Sequence, residues 1–378
     1  MRAWVYANTK GGIETAMKLV PDYPAPASFR TLAAPLPGKG TAKGTAKGTA
    51  KGTGQADEAI LVRILAASIN PIDYKLPELP LVGGLLLKRP ATPGLDFCGR
   101  VVQTSSAAAS SAFQPGQLVA GMLPSMTPHG ALAEYAVAYS DSVVPVPAGV
   151  SVEQAATIAV CGSTVWTALV PAIEAAKKRA SSSSSPSSSS LRVFINGGSG
   201  GIGSFAVPVA KALGCHVTTT CSTGNVGHVL HTLGADDVID YKTTSVVDAL
   251  VRRAQKDGPF DLAFDAVGMP FGVYKAADAY LAPGAAFPRI AADSIVDGVR
   301  ISLQPTLLGG GKHAAPFIRG KVTPERLRSV LELMAQGKLN VPLDGDAVVP
   351  FEDVPRAYAR LKTHRARGKI VVRVAEDS

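Results

Sequence analysis

The chain contains one glycine-rich run whose spacing indicates phosphate binding. Gly198, Gly200 and Gly203 follow the pattern Gly-x-Gly-x-x-Gly. In this pattern one glycine makes a tight turn, one lets the backbone approach a pyrophosphate, and one lets a helix pack closely on a strand. Phosphates then bind the unpaired N–H groups at the start of that helix. The predicted dinucleotide-binding residues are Gly198, Ser199, Gly200, Gly201, Ile202 and Gly203.

The segments around this run have the patterns that such a site requires. Residues 193–195 are β-branched or aromatic and predict a buried parallel strand. Apolar residues at helical spacing follow over 205–213, and Gly214 is suited to cap the end of that helix. Residues 217–220 predict a second strand. A glycine pattern alone is weak evidence, but between a strand and a helix it predicts a Rossmann-type nucleotide site.

The residues after the second strand favour NADPH over NADH. NAD-specific sites usually carry Asp or Glu about 20 residues beyond the glycines, where it binds the ribose 2′-hydroxyl. Between Gly203 and Asp236 the sequence has no acidic residue, and Ser222 and Thr223 offer hydroxyls to a 2′-phosphate. The alternative is that these hydroxyls only end a strand. Candidates for a positive charge beside the phosphate are Lys242, Arg365 and Arg367.

Composition excludes several other classes of protein. The chain has 378 residues, 46% hydrophobic and 18% charged, which is typical of a globular protein with a large core. The net charge is +9, and four of the lysines lie in a Lys-Gly-Thr-Ala repeat over 39–54, which we expect to be a solvated loop. Basic residues do not alternate with aromatic ones, so no nucleic-acid partner is predicted. The four cysteines show no CxxC or zinc-finger spacing. A reducing compartment is therefore the default expectation.

No membrane span or signal peptide is predicted. The longest uncharged stretch, 155–173, contains Gly, Ser, Thr and Pro residues and is interpreted as a buried helix. Residues 1–6 already have a strand pattern. The expected location is therefore the cytoplasm, or the mitochondrion if a leader is missing from the sequence.

The pattern of the chain changes near residue 152. The part up to about residue 158 predicts strands and turns without helical periodicity, including a strand over 130–137. Residues 162–169 then predict a turn entering a helix, and strands alternate with helices up to about residue 268. Such alternation predicts a doubly wound parallel sheet. A serine-rich insert occupies 181–190, a helix begins after Thr323, and 368–372 predict a closing strand.

Several short motifs follow one another along the chain: Asn70-Pro71-x-Asp73, Pro93-Gly94-x-Asp96-x-x-Gly99, Gly130-Ala131-x-Ala133-Glu134-Tyr135, the glycine-rich turn, Asp240-Tyr241, Phe264-Asp265-x-Val267-Gly268 and Arg367-Gly368-Lys369. In this order they resemble the medium-chain dehydrogenase/reductase superfamily, in its zinc-independent quinone oxidoreductase and reticulon-interacting oxidoreductase-like branch. The resemblance covers nearly the whole chain except the two inserts. It implies a GroES-like β-barrel catalytic domain and a Rossmann doubly wound domain, with the active site in the cleft between them. The implied boundaries are 1–158, 159–308 and 309–378.

The same resemblance argues against a catalytic metal. Zinc-dependent members need a Cys, a His and a further Cys or carboxylate as ligands. Here Asn70 stands where the zinc-dependent members have the first Cys. Gly94-Leu95-Asp96 stands where they have Gly-His-Glu. No metal site is therefore predicted.

The resemblance also implies roles for individual residues. Asn70 would face the nicotinamide or the substrate, Thr164 would bond the carboxamide, and Tyr74 is a candidate proton donor. Two of these residues have a structural alternative: Asn70 would merely make a turn before Pro71, and Thr164 would merely cap its helix. On the cofactor side the resemblance adds Tyr241, Val267, Gly268 and Arg367.

The implied function is NADPH-dependent reduction of quinones or α,β-unsaturated carbonyl compounds. One alternative is a trans-acting enoyl reductase of polyketide or fatty intermediates, although residues 74–80 lack the Gly-x-Tyr turn of the fatty enoyl-thioester enzymes. The other alternative is an NADPH-binding sensor or interaction protein with little turnover. The predicted partner is a small-molecule quinone or enone. Members of the superfamily are often dimers or tetramers, so a homodimer is possible, but the sequence does not determine the oligomeric state.

Overall fold

The computed structural model describes residues 1–26, 58–79, 87–125, 127–181, 190–291, 301 and 313–377. The insert over 39–54 and the interior of the serine-rich insert lie outside the described residues. The chain divides into two compact units. The first comprises Met1–Ala159, Val348–Lys362 and Val371–Ser378, and the second comprises Val160–Ala347 and Thr363–Ile370.

The described residues form strands and helices with the following bounds. The strands are β1 Ala3–Val5, β2 Lys18–Val20, β3 Ala59–Ile69, β4 Asp96–Thr104, β5 Leu118–Met122, β6 Tyr135–Tyr139, β7 Val143–Pro145, β8 Arg192–Asn196, β9 His216–Cys221, β10 Asp237–Asp240, β11 Phe260–Asp265, β12 Leu281–Ala286, β13 Val349–Pro350 and β14 Ile370–Arg373. The α-helices are α1 Ile13–Ala16, α2 Pro71–Glu78, α3 Ala107–Ala112, α4 Val152–Ala155, α5 Ser163–Ala168, α6 Val170–Ser181, α7 Gly203–Ala212, α8 Val246–Asp257, α9 Phe271–Lys275, α10 Pro324–Ala335 and α11 Val354–Lys362.

A seven-stranded sheet forms the first unit. Its order is β13-β14-β3-β4-β5-β7, and β6 pairs with the first half of β3, from Ala59 to Arg63. The long strand β3 is central because it pairs antiparallel with both β4 and β6. The predicted closing strand, β14, joins this sheet between β13 and β3, an assignment that the sequence left open. The strand predicted over 130–137 begins only at Tyr135.

The first unit also contains a helix that the sequence analysis did not predict. α2 begins directly after Asn70, with Pro71 in its first turn, where a missing N–H costs nothing. The Asp73 carboxylate accepts a hydrogen bond from the Asn70 backbone N–H at 2.7 Å. The interpretation of this part as strands and turns alone is therefore wrong. A helix of eight residues with Pro77 inside has too little periodicity to be recognised.

The second unit is built on a five-stranded parallel sheet of order β10-β9-β8-β11-β12. This confirms the predicted Rossmann-type alternation of strands and helices. Isolated bridges from Asp265 to Arg289 and from Arg289 to Phe317 continue the sheet beyond β12. Because β9, β8 and β11 are neighbours in this parallel sheet, their carboxyl ends are adjacent. Binding sites of such sheets lie at that edge.

The predicted turn at Gly162 is wrong, because this residue lies within helical backbone at φ −62° and ψ −48°. A Cβ built on Gly162 would lie 3.2 Å from Phe205 and from Val330, so the glycine allows close packing of α7 and α10. The stretch Ile158–Ser181 is long and apolar enough for a membrane span, but 56% of its most apolar window is buried. The core helix of a protein can be equally long and apolar, so this stretch is only weak evidence for a membrane-spanning helix.

The compact units differ from the predicted boundaries in the last part of the chain. The prediction assigns all of 309–378 to the first domain, whereas the second unit extends to Ala347 and also includes Thr363–Ile370. Helix α10 therefore belongs to the second unit, and its buried residues include Leu327, Val330 and Leu331. Thr323 caps this helix by accepting the Arg326 N–H, as predicted.

Candidate functional site

The glycine-rich turn between β8 and α7 is shaped by one left-handed residue and by two close approaches to neighbouring atoms. Gly197 has a φ of +90° and takes the left-handed position of the turn. A Cβ on Gly198 would lie 2.4 Å from Thr219 Oγ1, and one on Gly203 would lie 2.2 Å from the Gly197 carbonyl oxygen. Glycine is therefore required at these positions for the turn and for the close packing of helix and strand. Sequence analysis missed Gly197, since the motif counts from Gly198.

Gly200 differs from its neighbours because space lies open beside it. A Cβ there would meet only the Gly197 carbonyl oxygen, 3.9 Å away. Its φ is not in the left-handed region, so neither local packing nor backbone conformation requires glycine here. A pyrophosphate bound at the start of α7 needs such a position, where a glycine leaves room for the ligand to approach the backbone. The turn therefore fits a dinucleotide, whose phosphates the N–H groups of this turn would hold.

A chain of hydrogen bonds joins the ends of three strands below this turn. The Gly197 N–H donates to Thr220 Oγ1 at 2.8 Å, and the Thr220 hydroxyl donates to Asn196 Oδ1 at 2.6 Å. Asn196 Nδ2 then donates to Asp265 Oδ1 at 2.9 Å. These bonds fix the carboxyl ends of β9, β8 and β11 against one another. Neither Asn196 nor Thr220 was among the predicted site residues.

Asp265 holds the loop that carries the predicted residues Val267 and Gly268. Its carboxylate accepts the N–H groups of Val267, Gly268 and Met269 at 3.2, 3.1 and 2.8 Å. The carboxyl is 2% exposed, and burial raises the pKa of Asp265 despite these bonds, which lower it. Val267 is 54% exposed and lies over Gly197, where a Cβ would be 2.5 Å from Val267 Cγ1. This loop therefore lies beside the glycine-rich turn.

The predicted 2′-phosphate residues lie in a short turn after β9. Asn225 Nδ2 donates to Ser199 Oγ at 3.1 Å and to Ser222 Oγ at 3.3 Å, which ties this turn to the glycine-rich one. Thr223 is exposed. The Arg367 guanidinium donates to the Gly224 carbonyl at 3.0 Å. The structure thus brings a cation to the turn that carries Ser222 and Thr223.

A carboxylate also lies at this turn, contrary to the expectation from the sequence between Gly203 and Asp236. The Thr223 hydroxyl donates to Asp240 and, as the largest contribution, lowers the pKa of that carboxyl. The parallel pairing of β10 with β9 places Asp240 opposite Cys221, and this long-range register is not visible in local sequence. Next in the chain, Tyr241 is 51% exposed, and the Lys242 ammonium lies 5.5 Å from its ring centroid.

Lys369 is a further residue at the glycine-rich turn to which sequence analysis gave no role. A Cβ on Gly201 would lie 3.5 Å from Lys369 Cδ and 3.7 Å from Cys161 Sγ. The lysine is 2% exposed, and its ammonium donates to the Cys161 sulfur at 3.4 Å. The Gly368 N–H donates to the Ser199 carbonyl at 3.1 Å. The segment 367–369 therefore follows the turn closely.

Thr164, predicted to bond the carboxamide, lies in the first turn of α5 and is half-buried. Gly320 is pressed against it, because a Cβ on that glycine would lie 2.2 Å from Thr164 Oγ1. No hydrogen bond of the Thr164 hydroxyl is seen within the part of the chain that the structure describes. Its assignment to the nicotinamide stays a prediction.

The other two predicted catalytic residues lie in the first unit. Asn70 is 1% exposed, and its Nδ2 donates to Asp96 Oδ2 at 2.9 Å. Tyr74 is 6% exposed, and the Lys362 ammonium lies 5.0 Å from its ring centroid. Burial raises the pKa of Tyr74, and the Lys362 charge opposes that shift. These roles also stay predictions.

Asp96, in the segment that corresponds to the zinc-ligand motif, and the nearby Cys98 are both fully buried. Asp96 is fully buried and also accepts the Ser68 hydroxyl at 3.2 Å. Burial raises the pKa of the Cys98 thiol. Among the described residues, no group of three or more His, Cys, Asp and Glu side chains is placed to hold a metal ion.

Comparison with known families and proteins agrees with this architecture. The alcohol dehydrogenase GroES-like domain family matches residues 56–148, and the zinc-binding dehydrogenase family matches residues 233–372. The trans-enoyl reductase pgmF of Aspergillus terreus is 35% identical over 100% of this chain and 97% of its own length. The human mitochondrial NAD(P)H oxidoreductase RTN4IP1 is 28% identical over 83% of this chain and 81% of its own length. The quinone oxidoreductase of Coxiella burnetii is 22% identical with a TM-score of 0.72, covering 99% of both chains.

The GroES-like unit, the Rossmann-type unit and the glycine-rich turn define an NAD(P)H-dependent oxidoreductase class. The chain belongs to the medium-chain dehydrogenase/reductase superfamily, in its quinone oxidoreductase-like branch, as the sequence motifs indicated.

Proposed function

We propose that the protein reduces the conjugated double bond of α,β-unsaturated carbonyl compounds with NADPH. The observation that supports nucleotide binding is the open backbone at Gly200 at the start of α7. The observation that supports the enoyl acceptor is the likeness, over the whole chain, to a trans-enoyl reductase. Quinones remain the second acceptor class, since the chain belongs to the quinone oxidoreductase-like branch.

When bound, NADPH supplies a hydride, and the protein binds and orients it. The N–H groups of Gly201, Ile202 and Gly203, at the start of α7, would hold the pyrophosphate. The loop anchored by Asp265 would set the position of Val267 and Gly268 beside it. Ser222, Thr223 and Arg367 contact the 2′-phosphate in this proposal. The reaction takes a hydride at the β-carbon and a proton at the α-carbon of the acceptor, with the solvent as proton source.

The function is tested by calorimetric titration with NADPH and NADH, followed by NADPH oxidation with crotonyl N-acetylcysteamine thioester and 1,4-naphthoquinone. Tighter binding of NADPH and turnover of the thioester are expected. Turnover of the quinone alone would replace the enoyl acceptor by the second class. Tight NADPH binding without turnover of either acceptor would favour a sensor or interaction protein, and failure to bind both nucleotides would contradict the proposal.

Arg367→Ala is expected to weaken NADPH binding about fivefold to tenfold and to leave NADH binding unchanged, because an exposed charge pair contributes about 1 kcal/mol. The guanidinium already lies beside Gly224 in the 2′-phosphate turn. Calorimetric dissociation constants for the two nucleotides measure the effect.

Two variants control this prediction. Arg252→Ala removes an exposed positive charge elsewhere in the second unit, on α8, and should change neither affinity. Asp240→Asn removes the carboxylate bonded to Thr223 and should tighten NADPH binding. Equal weakening of NADPH and NADH by Arg367→Ala would show that the arginine supports the turn and does not select the phosphate.

A further inference from the structure

The turn after β9 carries groups of both charges, because a carboxylate lies there as well as an arginine. The parallel pairing of β10 with β9 places Asp240 opposite Cys221, and the Tyr241 N–H donates to the Cys221 carbonyl at 3.2 Å. The ends of the two strands are therefore held side by side, with Asp240 next to the residues that follow β9. The Arg367 guanidinium reaches the same turn, where it donates to the Gly224 carbonyl at 3.0 Å.

The Asp240 carboxylate is ionised and only partly buried. The Thr223 hydroxyl donates to it, and its Oδ1 accepts the Lys242 N–H at 2.9 Å. These hydrogen bonds, the one from Thr223 first, lower the pKa of Asp240 below its usual value, and the Lys242 charge adds to the shift. The negative charge is therefore present throughout the neutral pH range, on a side chain that a ligand can reach.

The hydrogen bond from Thr223 to Asp240 affects which ligand groups this turn accepts. A hydroxyl has one hydrogen to donate and two lone pairs. Because the Thr223 hydrogen is directed at Asp240, the exposed Thr223 oxygen offers its lone pairs to a ligand. Both this oxygen and the carboxylate can accept a hydrogen bond from a ribose hydroxyl. A phosphate has acceptor oxygens instead, and the carboxylate repels its charge.

Other groups of the same turn suit a phosphate. Arg367 is exposed, and a guanidinium matches the geometry of phosphate oxygens. Ser222 Oγ accepts the Asn225 amide at 3.3 Å, so the Ser222 hydroxyl keeps its own hydrogen to donate. The turn therefore holds donors for a 2′-phosphate and acceptors for a free ribose 2′-hydroxyl.

Resting on the proposed function, we propose that this site binds NADH as well as NADPH, and that Asp240 and Thr223 accept the ribose 2′-hydroxyl of NADH. Arg367 and Ser222 hold the 2′-phosphate of NADPH, and Thr223 donates to that phosphate only after its hydrogen has turned away from Asp240. The carboxylate therefore opposes the gain from Arg367. The dissociation constants for the two nucleotides should differ by less than about tenfold, with NADPH the tighter ligand.

Calorimetric titration of the wild type and of Asp240→Asn with both nucleotides tests the proposal. Asp240→Asn should lower the Kd for NADPH about fivefold and raise the Kd for NADH about fivefold, each being the effect of one exposed charge. A merely structural role of Asp240 would weaken both nucleotides together. Asp248→Asn removes an exposed carboxylate on α8 and is the matched control, which should change neither constant.

A double-mutant cycle measures the link between Asp240 and Thr223. Thr223→Val should weaken NADPH less in the wild type than in Asp240→Ala, because without the carboxylate the Thr223 hydrogen is donated to the phosphate. The two effects on Kd should differ about fivefold, the size of one modest hydrogen bond. Equal effects in the two backgrounds would show that Thr223 acts independently of Asp240, and the role proposed for Thr223 would be wrong.

The remaining outcomes separate this proposal from the proposed function. If the wild type binds NADPH but not NADH, or if Asp240→Asn weakens both nucleotides, the shared site is wrong while NADPH-dependent reduction stands. If Asp240→Asn tightens NADPH and leaves NADH unchanged, the carboxylate only repels the phosphate, and the assignment of the 2′-hydroxyl is wrong. Failure of the wild type to bind either nucleotide would contradict both proposals.

Discussion

Replacing Gly200 by valine is expected to abolish NADPH binding without destabilising the protein. The side chain would occupy the open space at the turn, where the only neighbour of a Cβ is the Gly197 carbonyl oxygen at 3.9 Å. Each hydrogen bond to a charged phosphate contributes about 1.5–3 kcal/mol, so loss of two such bonds raises Kd at least about 100-fold. The free energy of unfolding should change by less than about 0.5 kcal/mol, as at an unconstrained surface position.

The measurement is calorimetric titration combined with urea unfolding. Gly272→Val is the matched control, since Gly272 is exposed, has no heavy atom within 4 Å of a built Cβ and is not in the left-handed region. It should change neither NADPH affinity nor stability. Gly203→Ala should destabilise the unit, because its Cβ would lie 2.2 Å from the Gly197 carbonyl oxygen. Normal NADPH binding by Gly200→Val would show that the pyrophosphate does not lie at this turn.

The sequence predicted those parts of the site that depend on neighbours in the chain. The strand, the glycines and helix α7 are consecutive, so their spacing indicated both the element order and the nucleotide site. The left-handed residue of the turn was not identified, because Gly197 and Gly198 are both glycines and only the backbone shows that φ is +90° at Gly197.

The polar contacts that the sequence analysis missed are made by strand pairing. Asp240 reaches Thr223 only because β10 lies parallel to β9 with Asp240 opposite Cys221. Asp265 meets Asn196 because β11 lies beside β8, although 69 positions separate the two residues. Helix α2 was missed for a different reason, since its eight residues include Pro77 and only partly follow helical periodicity. Local patterns therefore predicted the elements of the site but not the polar partners that join them.

Replacing Asp265 by alanine is expected to be the most destabilising single change at the site. Its carboxylate accepts three backbone N–H groups and the Asn196 amide, all at 3.2 Å or less, and it is 2% exposed. Alanine would leave these donors buried without an acceptor, and breaking a buried charged network in this way costs about 3–5 kcal/mol. The loop over 266–269 would lose its anchor beside Gly197, so NADPH affinity should fall as well.

The two tryptophans allow the effect to be assigned to one unit. Trp4 lies in the first unit and Trp166 in the second, so fluorescence of a Trp4→Phe background follows unfolding of the second unit alone. In that background, Asp265→Ala should shift the Trp166 unfolding transition to a lower urea concentration. The shift should correspond to a loss of roughly 3–5 kcal/mol in the free energy of unfolding, with an unchanged dependence of that free energy on urea concentration. Asp265→Asn keeps one acceptor oxygen and should lose less. An Asp265→Ala protein with an unshifted Trp166 transition would show that solvent replaces the carboxylate, and the loop would then owe its position to the packing of Val267 on Gly197.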